Sequence, residues 1–109
     1  RLKVLFICAR NQWRSPTAEG IYRNDPRVEV RSAGISDAAR RRVNSGDLAW
    51  ADLVLVMERD HVRRIRQRFG ETDLPEMESL DIPDEYQFGD DELVQLIRDG
   101  TEPFLNSED

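Results

Sequence analysis

The sequence predicts an α/β fold, a parallel sheet covered by helices on both faces. Three observations carry that expectation. Leu2 to Ile7 is a near-continuous apolar run, strand-sized and typical of a strand buried on both sides. Strand-like segments then alternate with segments whose apolar residues recur at helical spacing. A chain of 109 residues suits one sheet with its helices and is too short for two cores, so residues 1–109 read as a single domain.

Each element follows in order along the chain. After the first strand, Pro16 opens a helix to about Arg23, because proline's missing N–H has no partner to lose in a first turn. Asn24-Asp25-Pro26 closes it, and Val28 to Ser32 alternates as a second strand. Asp37 to Val43, with Arg40, Arg41 and Arg42, is expected to be helical, and Ser45 or Asp47 to cap a short helix through Trp50. Asp52 to Met57 reads as strand three. Arg59 to Phe69 keeps Val62, Ile65 and Phe69 on one stripe, leaves its arginines to solvent and stops at Gly70. Met77 to Ile82 reads as strand four and Asp90 to Ile97 as a last helix ended by Gly100, with a loosely held tail from about residue 101.

Charge divides the chain. Up to residue 70 there are 15 Lys+Arg against 8 Asp+Glu (net +7), and beyond it 1 against 14 (net −13), which together give the formal charge of −6. The overall acidity hides a basic lobe able to steer anionic substrates. Nothing reads as a signal peptide or membrane span, and a single cysteine forms no internal disulfide, so a reducing cytoplasm is the expected setting. His61 stands on the arginine-rich helix without clustered ligands and reads as a solvated histidine; no metal site and no cofactor are expected. That helix lacks interleaved aromatics, which makes nucleic acid an improbable partner. Tyr22 and Trp50 read as core or edge residues.

The chemistry concentrates after strand one. Cys8 ends that strand, and Arg14-Ser15-Pro16 follows six residues on, at the start of a helix. The loop Ala9-Arg10-Asn11-Gln12-Trp13-Arg14-Ser15 can turn successive backbone N–H groups onto one anion, with Asn11 supplying a left-handed turn. The helix's positive end favours a thiolate over a thiol. Arg14 can grip two phosphoryl oxygens with its planar fork, and Ser15 can donate to the sulfur. Arg10 reads equally as an anion attractor and as a surface charge, and Trp13 more as packing beneath the loop than as part of its mouth.

These residues, Cys8-x5-Arg14-Ser15-Pro16-x-Ala18-Glu19, resemble the signature of the low-molecular-weight protein tyrosine phosphatases, and more closely a shortened bacterial branch of predicted phosphatases. Val30 to Gly34, Ala51 to Glu58 and Asp81 to Tyr86 resemble the family's second strand, third strand and acid loop. The resemblance implies a three-layer αβα fold with sheet order 2-1-3-4 and the phosphate loop after strand one. It also implies Ser32 bracing Asn11, Asp84 as general acid with Asp81 in reserve, and Tyr86 stacking on an aryl leaving group. Three departures stand out: Arg10 replaces a glycine, Trp13 a second cysteine, and Glu85 the proline after the acid. The segment between Gly34 and Asp47 is also too short for the extra helix and substrate wall of larger relatives.

The implied activity is hydrolysis of phosphotyrosine or another aryl phosphate through a phosphocysteine, on a phosphorylated protein or small aryl phosphate, with oligomeric state open. Two alternatives remain at this level. An arsenate reductase-like enzyme needs an external thiol here, since oxidised Cys8 has no second cysteine to pair with. A phosphate- or phosphoprotein-binding regulator needs no turnover at all.

Overall fold

The computed structural model describes residues 1–106. Four parallel strands form one sheet in the order β2-β1-β3-β4, with β1 at Leu2–Cys8, β2 at Val28–Gly34, β3 at Leu53–Val56 and β4 at Glu76–Ser79. The helices are α1 (Arg14–Tyr22), α2 (Ser45–Trp50), α3 (Arg59–Phe69) and α4 (Asp91–Leu105).

Side chains alternate across the central strands, and this alternation builds the three layers. Val4, Phe6 and Cys8 of β1 join Leu55 of β3 and pack against Ala18 and Tyr22 of α1 and Leu93 and Ile97 of α4. Leu5 and Ile7 face the other way with Val54 and Val56, against Leu48 of α2 and Ile65 of α3. A strand covered on both faces must be apolar throughout, which is why Val4 to Cys8 are all buried. Cys8 pairs with Gly34 at the carboxyl end of the sheet, where ligands gather in open parallel sheets.

Three expectations are corrected. Residues 37–43 are not helical: their backbone groups bond elsewhere, Arg40 N–H to the Arg10 carbonyl (3.0 Å) and Val43 N–H to the Gly34 carbonyl (2.9 Å), while the Gly34 N–H reaches the Arg41 carbonyl (2.8 Å). A helix would take those groups away from the Cys8 loop. Gly100 does not stop α4, which runs on through Leu105, so residues 101–105 are helical and Thr101 is buried. A Cβ at Gly100 would sit 2.9 Å from Leu80 Cδ2, the mobile end of that side chain. The rest of the expected loose tail, residues 107–109, lies outside the described residues. The short helix α2 is capped by Asn44 rather than Ser45, in a reciprocal capping box with Asp47.

Candidate active site

Cys8 is a free, buried thiol at the end of β1. The loop after it is turned inside out by its neighbours, because external donors hold its carbonyls. Cys8 O accepts from Ile35 N–H (3.0 Å), Ala9 O from Ser36 N–H (2.9 Å) and Arg10 O from Arg40 N–H (3.0 Å). Arg40 Nε donates to Asn11 O (3.1 Å), and Thr17 Oγ1 to Trp13 O (2.6 Å). With carbonyls fixed outward, the N–H groups are left to face an anion. Asn11 adopts φ 54°, a left-handed turn that asparagine tolerates, and its N–H points at Cys8 Sγ (3.3 Å).

A directed hydrogen-bond chain runs from the sulfur into α1. Ser15 Oγ lies 3.0 Å from Cys8 Sγ. Asn11 Nδ2 donates to both Ser15 Oγ (2.9 Å) and Ser32 Oγ (3.0 Å). Ser32 in turn donates to Glu19 Oε1 (2.5 Å). Each hydroxyl has one proton. Because Ser15 accepts from Asn11, its proton is free for Cys8 Sγ, with Ala33 O as a longer alternative (3.3 Å).

Arg14 is 2 % exposed and its guanidinium is oriented on one side only. Nη1 donates to Glu58 Oε2 (2.6 Å) and Ile82 O (2.8 Å), and Nε lies 3.6 Å from Asp84 Oδ1. Among the described residues Nη2 makes no hydrogen bond, so the Nε/Nη2 edge can receive two phosphoryl oxygens. Cys8, Arg10, Gln12, Trp13, Arg14 and Asp84 line one cavity of about 120 Å³.

The two candidate acids stand in different settings. Asp84 is half exposed, beside Arg14 in the cavity wall. Asp81 hydrogen-bonds Ser79 Oγ (2.6 Å) and pairs with Arg59 (3.3 Å). The Ser79 hydrogen bond, with Arg59 adding to it, holds its carboxyl below the usual carboxylate range, so Asp81 is a poor proton donor. Tyr86 packs at the edge of the core, and its hydroxyl donates to Glu92 (3.0 Å). It does not line the cavity. The exposed ring there is Trp13's, at 42 %, so Trp13 forms the mouth rather than packing beneath the loop.

His61 is also corrected: it is buried on α3, not solvated. Burial lowers its pKa, assisted by the positive charges of Arg14 and Arg64 and opposed by Glu58 and Asp60. Its Nδ1 has no hydrogen-bond partner among the described residues. Two residues have roles that the sequence reading left unassigned. Glu58 follows β3 at the same sheet edge as Cys8, which was the available signal. Glu19 lies in the quoted motif, one turn beyond Ser15, but had no assigned partner.

Proteins of known structure share this fold. No protein-family model matches the chain. In sequence it is 26% identical over 148 aligned positions to the low molecular weight protein-tyrosine-phosphatase YfkJ of Bacillus subtilis, covering 97% of this chain and 95% of that one. In structure it matches SP-PTP, a low molecular weight protein tyrosine phosphatase from Streptococcus pyogenes, with a TM-score of 0.80 at 20% identity over 96% and 91% of the two chains. It also matches the YwlE arginine phosphatase of Geobacillus stearothermophilus, with a TM-score of 0.68 at 26% identity over 100% and 99%.

Proposed function

We propose that this chain is a shortened member of the low-molecular-weight protein tyrosine phosphatase superfamily, a reading supported by its likeness to YfkJ, and that it hydrolyses phosphotyrosine or related aryl phosphates through a phosphocysteine. The observation that carries the reading is the convergence of the Ser15 hydroxyl and the Asn11 N–H on Cys8 Sγ, beside a buried Arg14 in the same cavity.

In the first step the Cys8 thiolate attacks phosphorus, forming the S–P bond as the P–O ester bond breaks. Arg14 and the loop amides hold the equatorial oxygens, the electrostatic stabilisation on which phosphoryl transfer chiefly depends. Asp84 gives its proton to the departing oxygen. In the second step Asp84 takes a proton from water as that water attacks phosphorus, and the S–P bond breaks to return the thiolate and inorganic phosphate. Ser15 stabilises the thiolate as attacking group and again as leaving group.

An aryl ester fits the mouth better than phosphoarginine does. Trp13 offers an exposed ring in the cavity wall, whereas the neighbouring Arg10 repels a cationic guanidinium. Wild-type protein is expected to turn over p-nitrophenyl phosphate, and Cys8→Ser to show none. An unchanged rate in Cys8→Ser contradicts the mechanism.

A further inference from the structure

Building on the phosphatase reading, we propose that Arg10 and Arg40 form an anion subsite on the rim of the loop and select phosphotyrosine flanked by carboxylate side chains. Arg10 is exposed and lines the Cys8 cavity. Its side chain makes no hydrogen bond or ion pair among the described residues. Arg40 is exposed too, and is fixed to the loop twice, through its N–H to Arg10 O (3.0 Å) and its Nε to Asn11 O (3.1 Å). Both partners are carbonyls, so the charge of Arg40 is left uncancelled.

Its neighbours in sequence behave differently. Arg41 pairs with Asp47, and Arg42 with Asp37 (2.7 Å). Of three consecutive arginines, the one without a carboxylate is the one tied to the phosphate loop.

The short segment after β2 is what puts it there. Gly34 bridges to Arg42, and residues 35–40 lie directly on the loop. A Cβ at position 34 would fall 2.5 Å from Ala39 Cβ and 2.8 Å from Ala9 O, so only glycine permits the contact. The phosphate itself is met by Arg14 and the loop amides inside the cavity. Two further guanidinium groups outside it are placed for anions carried by the residues on either side of phosphotyrosine. The +7 charge of the first 70 residues attracts the same substrates from a distance.

The test measures kcat/KM on phosphotyrosine peptides of one length with acidic, neutral or basic flanks, for wild type, Arg10→Gln with Arg40→Gln, and Arg66→Gln. Arg66 is an exposed α3 arginine, and its substitution removes one like charge away from the loop. Wild type should prefer acidic over neutral flanks about tenfold at low salt, less as ionic strength rises. The double variant should bring that ratio to about one, whatever change it shows on all peptides alike. Arg66→Gln should keep it. A wild-type ratio near one, or a ratio that survives in the double variant, overturns the subsite while leaving the phosphatase reading intact. Absence of turnover on every peptide and on p-nitrophenyl phosphate contradicts that reading itself.

Discussion

The two loops that face each other across the cavity are built on opposite principles. Between Cys8 and Ser15 the sulfur, the asparagine amide, the Nη1 side of Arg14 and five carbonyls are tied down. The Asp81–Tyr86 loop is held at Ile82, whose N–H donates to Met57 O and whose carbonyl accepts from Arg14, and at its two ends by the Asp81 bonds to Ser79 and Arg59 and the Tyr86 bond to Glu92. Two residues further on, Asp84 stands half exposed with one long contact to Arg14. Oxyanion stabilisation depends on donors that need not reorganise during reaction, whereas an acid that becomes a base within one cycle must reach first an ester oxygen and then a water. On the proposed mechanism, one side of the site is fixed for binding charge and the other is left free for moving a proton.

Asp84→Asn puts the largest strain on that contrast. It should lower kcat about 10²- to 10⁴-fold on phosphotyrosine, with a smaller loss on an aryl phosphate whose leaving group needs no proton. Asp81→Asn should stay within about threefold, since an ionised carboxylate on Ser79 and Arg59 donates nothing. A reversed order of the two variants would move the acid to Asp81. Comparing kcat across leaving groups of graded basicity distinguishes the two.

On the fixed side, Glu19→Ala should slow alkylation of Cys8 by iodoacetamide and lower kcat about three- to tenfold, because Ser32 loses its acceptor and can turn its proton toward Asn11. Glu19→Gln should recover most of the rate, since its amide oxygen accepts the same bond. Equal losses in the two variants would show that charge, not hydrogen-bond direction, is what matters.

The smallest effect concerns stability beneath the site. His61, the sole histidine, has its pKa lowered chiefly by burial, so the unfolded chain binds more protons than the folded one just below the ordinary histidine value of about 6.5. Stability present above that pH is lost as pH falls through it toward the folded value. The melting temperature should therefore decline from about pH 6.5 to 5, and His61→Leu should flatten the decline. A decline that persists in His61→Leu assigns it to other groups.

The sheet and its loop were legible because they rest on local signals. An all-apolar strand, a cysteine at its end, Asn11 with its left-handed tolerance and Pro16 in a first turn each specify their own conformation. What was not legible depends on partners distant in sequence. Arg40 looked helical and is a brace in an irregular bend because Arg10 O, thirty residues earlier, takes its N–H. Gly100 looked like a stop and lies inside α4, which runs on to Leu105 because Thr101 is buried beyond it. Trp13, like any aromatic, could equally pack or protrude, and Glu58 carried no periodic mark. Glu19 was in plain view, but its partner Ser32 lies on another strand.

The central claim is that Cys8 itself carries the phosphoryl group. Rapid acid quench of wild type and Asp84→Asn during turnover of an aryl phosphate, followed by peptide mass spectrometry, tests it most directly. A phosphate adduct on the Cys8 peptide, accumulating further in Asp84→Asn because water attack is slowed, is the predicted result. Continued turnover with no adduct on Cys8 in either protein would contradict the account.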